Sequence, residues 1–329
     1  MKIGLDTAPV TSRGNYCRHL ADVLAHYAPE HEYVVDTKRH GDVDLFHGFS
    51  FSLPLSVHLG RVPAVMTVPN LNFLRYPHLY SLSERLIALR LYRRALRQAQ
   101  RVITVSTPAR EELSERLSID PSKIEVVMPL AARVPQEPPA RAELEHTRRK
   151  YGLPEQFILM LGTVEPHHNH EAVLDALAVL DSNVGVVVCG RRTVYSDFLL
   201  RYARERHLAA RVDFIYELTP ADLPALFRMA RVFAYLPDAR SEASIVPVVE
   251  ALRAELPMVL SDTRLNREAA GNAAAYVNPE ASGEVVAALE NALCDESWRQ
   301  TMRQRERRRA ELFSEYAVAE RLIQIYTSL

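Results

Sequence analysis

The sequence predicts an α/β protein built on parallel strands, and three features carry that reading. The run from Arg231 to Asp262, RVFAYLPDARSEASIVPVVEALRAELPMVLSD, divides into an apolar strand (Val232 to Leu236), a polar loop (Pro237 to Ser244), a helical stretch (about Val246 to Ala254) and a second strand (Met258 to Ser261). That order is a βαβ unit, and its loop lies at the carboxyl end of a parallel strand, where α/β sheets bind ligands. Short apolar runs followed by helix-period segments recur along the chain, and 329 residues are enough for two domains, each with its own core.

Composition narrows the function classes. With 48% hydrophobic and 25% charged residues the chain is of ordinary globular type, and a formal net charge of -1 gives no electrostatic case for nucleic acid. Cys17, Cys189 and Cys294 are widely spaced and odd in number, so neither a disulfide framework nor a zinc knuckle is expected, and the setting reads as cytoplasmic. Met1 to Val10 has one lysine and no long apolar core, so no secretory signal is expected there. The sequence has no run of about 18 apolar residues to span a bilayer, so any membrane contact is expected to be peripheral, at the inner face.

In chain order, Lys2 to Asp6 reads as a buried strand, Pro9 to Gly14 as a turn, and Asn15 to Ala28 as a helix with Leu20, Val23, Leu24 and Tyr27 at helical spacing. Val43 to His47 and Ala64 to Val68 read as strands. Ser83 to Arg101 is a long helix whose apolar stripe is Leu82, Leu86, Leu89, Leu96 and Ala99. Arg90, Arg93, Arg94, Arg97 and Arg101 fall on about a third of its circumference, a pattern that suits either an anionic membrane surface or a solvated face on a core helix. Arg101 to Ser106 is a strand, Ser106 or Thr107 caps a helix over Pro108 to Leu117, and Lys123 to Met128 is a strand. The proline-rich Pro129 to Pro139 and the charged Arg141 to Lys150 mark a domain boundary, with a linker over 136–150.

Phe157 to Gly162 opens the second half as a strand, followed by a turn over Thr163 to Asn169 and a helix from His170 to Leu180. Val184 to Cys189 is a strand with Gly190, Arg191 and Arg192 at its carboxyl end, and the fork of Arg191 suits phosphate oxygens, although a plain surface arginine is the commoner case. Phe198 to Leu208 is helical, Val212 to Tyr216 a strand, Pro220 to Met229 a helix, and Ala273 to Pro279 a strand and turn, with two helices closing the chain. His167, His168 and His170 lack a nearby carboxylate or cysteine at ligand spacing, so a metal is not expected. Glu242 and Glu250, eight residues apart, fall near one face and one end of the helix after Ser244.

These residues resemble the glycosyltransferases of family 4, also called group 1, which have the GT-B fold. Glu242, Pro247, Glu250, Ala251, Pro257, Val259 and Ser261 match the family's EGFG-like turn, P-x-x-E-A and G-x-P-V-x-S; Gly162, Thr163, Glu165, Pro166 and Asn169 match G-T-x-E-P-R-K-N. The passages VDLFH, VITVSTPAREEL and KIEVV are similar to the family's first-domain blocks. The resemblance implies two Rossmann-like domains facing across a cleft: an acceptor-side domain over 1–135 and a nucleotide-sugar domain over 151–312, with a helix over 313–329 packing back on the first. It implies transfer of a hexose or deoxyhexose from a GDP-, UDP- or dTDP-sugar to a glycan or lipid-linked acceptor in polysaccharide biosynthesis, with retained anomeric configuration and no metal. Glu242 would contact the donor sugar and Glu250 the ribose. Thr163, His167, His168, Arg191, Ser244 and Ile245 would line the donor diphosphate, and Gly14, His47 and Asn70 the acceptor side.

Several family positions are altered. Pro69 stands where the family carries a histidine beside the reacting sugar, and proline has no titratable group. Gly14, Asn15 and Tyr16 shorten a glycine-rich loop, His167 and His168 replace Arg and Lys, Ala243, Ser244 and Ile245 replace GFG, and Glu255 replaces a glycine. The alternative that these changes support is a degenerate relative that has lost transfer and serves as a partner or regulatory subunit of an active glycosyltransferase.

Overall fold

The computed structural model describes residues 1–6, 11–35, 43–49, 53, 57, 59–68, 81–130, 134, 137–181, 183–238 and 244–329, with 11–16 as backbone only. The chain forms two units, one of Met1–Leu130 with Leu312–Leu329, the other of Ala131–Glu311.

In the first unit, β1 (Lys2–Leu5), β2 (Glu32–Val35), β3 (Leu45–Gly48), β4 (Ala64–Val68), β5 (Arg101–Thr104) and β6 (Ile124–Val126) form a sheet in the order β2-β1-β3-β4-β5-β6. All neighbours are parallel. A parallel sheet buries both faces, and alternation along the strands divides its apolar side chains between two cores. Ile3, Leu5, Val65 and Ile103 pack with Leu20 and Leu24 of α1 (Thr11–Tyr27) and with Val318, Leu322 and Ile325 of the helix Glu315–Thr327. Ala64, Met66, Val68 and Val102 pack with Tyr92 and Leu96 of α2 (Leu82–Gln98) and with Leu113 and Leu117 of α3 (Thr107–Leu117).

Local signals set the helix ends. Ser81 and Glu84 make a reciprocal capping box at the start of α2, and Ser106 Oγ accepts the Ala109 amide at 3.2 Å to start α3. Two readings are corrected. Gly14 lies inside α1 and not in a turn before it. The expected stripe on α2 is only partly inward: Leu82 and Leu86 are exposed, and the buried face is Tyr92, Ala95 and Leu96.

In the second unit, β7 (Gln156–Leu161), β8 (Val184–Cys189), β9 (Val212–Ile215), β10 (Val232–Tyr235), β11 (Met258–Ser261) and β12 (Ala275–Val277) form a parallel sheet ordered β12-β11-β10-β7-β8-β9. The expected linker over 136–150 is largely helical: α4 (Arg141–Tyr151) starts where Glu143 Oε2 accepts the Ala140 amide and stops at left-handed Gly152. Its charges line a solvated face, while Lys150 and Tyr151 reach Asp222 at 2.6 and 2.8 Å. Around the sheet lie α5 (His170–Leu177), α6 (Val194–Glu205), α7 (Leu223–Met229), α8 (Val246–Arg253), α9 (Arg264–Ala270), α10 (Ser282–Cys294) and α11 (Glu296–Ala310). Three helices, not two, therefore follow β12, because the apolar spacing after Pro279 is interrupted at Asp295, whose carboxylate caps α11 through the Trp298 amide at 2.9 Å.

His47 is also corrected. At the end of β3 it is 1% exposed, with Nδ1 2.6 Å from the Tyr326 hydroxyl and Nε2 2.7 Å from Thr67 Oγ1. Burial lowers its pKa to about 3, so it is a neutral core group that joins the helix Glu315–Thr327 to the sheet, not an acceptor-facing one. Tyr326→Phe would leave one buried ring nitrogen unpaired, and urea unfolding is expected to show a loss of about 1–3 kcal/mol. An unchanged midpoint would mean that water reaches this histidine.

Candidate functional site

The second sheet starts at its middle. The chain runs outward from β7 through β8 to β9, then returns to lay β10 on the other side of β7. The connections leaving β7 and β10 therefore run toward opposite edges of the sheet, and the carboxyl ends of these two strands are its switch point, where doubly wound sheets take ligands.

The loop after β7 is shaped by a close backbone crossing. Gly162 N donates to Cys189 O at 3.0 Å, and a Cβ added to Gly190 would lie 1.6 Å from the Gly162 carbonyl oxygen, so no other residue fits at 190 without moving the loop. Val164 N donates to Arg191 O at 3.2 Å, and the Thr193 hydroxyl donates to the Val164 carbonyl. After a single turn at Pro166–His168, Asn169 adopts a left-handed conformation and α5 begins. Asn169 Nδ2 donates to Leu236 O at 2.8 Å, and Asp238 N donates to His167 O at 2.7 Å. These two bonds tie the loop after β7 to the loop after β10 across the switch point.

The second loop has its own anchors. Tyr235 at the end of β10 donates its hydroxyl to Ser244 O at 3.1 Å, and Ser244 Oγ accepts the Val246 amide at 3.2 Å, entering α8. Ser261 Oγ donates to Pro237 O at 2.7 Å, while buried Asn266 Nδ2 donates to Ser261 O and Oγ, each at 3.0 Å. Glu250, six residues after Ser244, lies wholly buried in α8. Ser244 is exposed, Ile245 next to it is buried, and Thr163 is half-buried. Glu242, Ala243, Pro69 and Asn70 lie outside the described residues. Glu255, where the family resemblance expected glycine, has a left-handed φ of 51°, and its carboxylate is held by Arg307 at 2.9 and 2.7 Å.

The charges differ from the sequence reading. His168 Nδ1 lies 2.7 Å from Thr163 O; a carbonyl only accepts, so Nδ1 carries the proton and Nε2 is a bare acceptor. Burial, with a smaller contribution from His167, lowers the His168 pKa to about 4, and burial lowers that of His170 to about 3. His168 therefore cannot replace a lysine as a cation at neutral pH. His167 is half-buried, 3.3 Å from Glu165; Arg191 is exposed, 3.9 Å from the same carboxylate. Arg192 is held by Asp197 at 2.6 Å. The structure thus places Thr163, Glu165, His167 and His168 on the loop after β7, Ser244 on the loop after β10 and Arg191 on the loop after β8, and leaves His47 and Gly14 in the other unit. Among the described residues no three His, Cys, Asp or Glu side chains are grouped to hold a metal ion.

Comparison with known proteins gives this geometry a family. The family model described as glycosyl transferases group 1 matches residues 144–309, half of the chain. The chain belongs to this family. The model described as Glycosyltransferase Family 4 matches residues 12–129. Among relatives, the O-antigen chain mannosyltransferase B of Escherichia coli is 25% identical over 82% of this chain and 70% of its own length. The O-antigen chain mannosyltransferase RfbU of Salmonella typhimurium is 25% identical over 61% of this chain, which spans about half of that relative (53%). The Anabaena protein HepE, solved with UDP and glucose, superposes with a TM-score of 0.74 at 15% identity over 100% of both chains. That likeness shows the fold, α/β of the GT-B type.

Glu165, Tyr235 and Asn266 were missed as site-shaping residues. Tyr235 ends the strand entering the motif loop, a visible signal; Glu165 was seen only as a family match, and Asn266 becomes legible only once Ser261 is known to face it.

The buried histidines make stability depend on pH. Unfolded, each binds a proton near pH 6.5; folded, His47 and His170 resist until about pH 3 and His168 until about pH 4. The unfolded state then holds more protons below pH 6.5, so stability is full above that value and falls as pH falls, by at most about 1.4 kcal/mol per pH unit for each fully buried ring. Urea unfolding at about pH 7.5, 6 and 5 is expected to show this decline. A flat profile would contradict the neutral rings.

Proposed function

We propose that the chain is a retaining hexosyltransferase that moves a sugar, mannose being the first candidate, from a nucleotide sugar to a glycan or lipid-linked acceptor. The observation that carries the reading is the switch point of the second sheet, where a Gly162–Asn169 loop bonded to the loop after β10 adjoins a helix with a fully buried glutamate, Glu250. The mannosyltransferase names of the two relatives support mannose, and UDP in the HepE structure supports a nucleotide-linked donor.

In this reading Glu242 contacts the donor sugar and Glu250 the ribose. Arg191 and His167, with the backbone of the Thr163 turn and of Ser244 and Ile245, meet the diphosphate. Charge developing on the leaving diphosphate must be offset by such groups, a contribution often of several kcal/mol. His168 contributes shape: by holding Thr163 O it fixes the turn. Gly14 and Asn70 belong to the acceptor side.

Calorimetry with GDP, UDP and dTDP tests the reading. One of the three is expected to bind, Glu250→Gln to weaken it at least tenfold, about 1.4 kcal/mol, and Glu242→Ala to abolish transfer. Failure of all three nucleotides to bind a folded chain would refute it. The suppressed charge of His168 favours the second reading, a non-catalytic partner of an active glycosyltransferase, and that same failure would leave it standing.

Arg90, Arg93, Arg94 and Arg97 lie exposed along α2, which supports contact with an anionic surface or a lipid-linked acceptor. Among the described residues no helix is long and apolar enough to cross a membrane. Co-sedimentation with phosphatidylglycerol vesicles is expected at low salt and should be lost when the four arginines become glutamates; equal sedimentation of both forms would exclude the contact.

A further inference from the structure

The loop after β7 holds an anion where the proposed reading expects another. Glu165 Oε2 lies 3.3 Å from His167 Nδ1, and Oε1 lies 3.9 Å from Arg191 Nη2. The groups beside them add little net positive charge: Arg192 is matched by Asp197 at 2.6 Å, and the His168 and His170 rings are neutral at neutral pH. The Glu165 carboxylate is only 37% exposed, so solvent screens it incompletely. The charges of Glu165, Arg191, Arg192 and Asp197 sum to about zero at neutral pH.

The donor and the product differ in charge. A nucleotide sugar carries its diphosphate esterified at both ends, whereas a nucleoside diphosphate ends in a phosphate monoester whose second ionisation lies near pH 6, so the product bears about one more negative charge at neutral pH. A fixed carboxylate repels the product more strongly than the donor. We propose that Glu165 is a specificity-determining residue that biases the second unit toward the nucleotide sugar and against the nucleoside diphosphate, and so speeds release of the spent nucleotide. The inference rests on the nucleotide-sugar reading above and adds to it a role for Glu165 as a counter-anion in competition with the diphosphate for Arg191 and His167.

The test compares binding of UDP with UDP-glucose, and of GDP with GDP-mannose, to the full chain and to Glu165→Gln at pH 7.5, with near-UV circular dichroism confirming the fold. Removal of the charge is expected to tighten the nucleoside diphosphate about tenfold and the matching nucleotide sugar about threefold, so that the ratio of their dissociation constants falls about threefold. Glu165→Ala, which removes the charge without a hydrogen-bonding substitute, should shift the ratio in the same direction. An unchanged ratio in a variant that still binds would overturn the inference and leave the nucleotide-sugar reading intact. Weaker binding of both ligands would make Glu165 a support for His167 and Arg191 and would also overturn it. Absence of nucleotide binding in the unaltered chain would overturn both.

Discussion

The geometry of the second unit depends on two backbones that nearly touch. The carbonyl of Gly162 lies where any side chain at position 190 would have to begin, and the Gly162 amide bonds to Cys189 O in the same crossing. This contact lets the loop after β7 lie over the end of β8 and turn toward β10 instead of rising into solvent. From there each step is hydrogen-bonded: Val164 to Arg191, Asn169 to Leu236, Asp238 to His167. The course of these loops is thus a property of main-chain packing, held with little dependence on the charged side chains around them. That independence explains how a family member can change so many side chains in these loops and keep the frame that receives a ligand.

Charge is handled differently from shape. Of the three histidines from 167 to 170, His168 and His170 are kept neutral at neutral pH chiefly by burial, and the Thr163 carbonyl fixes only which nitrogen of His168 carries the proton. The positive charges that remain, Arg191 and Arg192, each face a carboxylate. The net positive charge that these loops offer is consequently modest.

Much of the fold was legible because buried parallel strands are short apolar runs with turn residues at their ends: Val184–Cys189 and Met258–Ser261 stand out by composition alone. What failed depended on distant partners. His47 ends a strand as an acceptor-facing residue would, but its environment is set by Tyr326, 279 positions away. The stripe on α2 had the right period, yet which arc turns inward depends on the helices beside it. The segment Arg141–Lys150 looked like a linker because it is charged, whereas its cap at Glu143 and its stop at Gly152 were readable signs of a helix. In the site, the positions of Thr163, Asn169 and Glu250 follow from the motif. The protonation of His168 does not, since it rests on a carbonyl contact and on burial that no local pattern encodes.

The first unit is assembled from two stretches separated by the whole of the second, and the later stretch supplies Val318, Leu322, Ile325 and Tyr326 to one of its cores. During synthesis at about 5–20 residues per second, residues 131–311 take roughly ten to forty seconds to appear, and throughout that interval the apolar face formed by α1, Ile3, Leu5 and Val65 has no covering helix. The nascent chain therefore carries an open hydrophobic surface while residues 131–311 are made. Cutting the chain after residue 311 would not trim a tail but would leave that half of the molecule permanently unfinished.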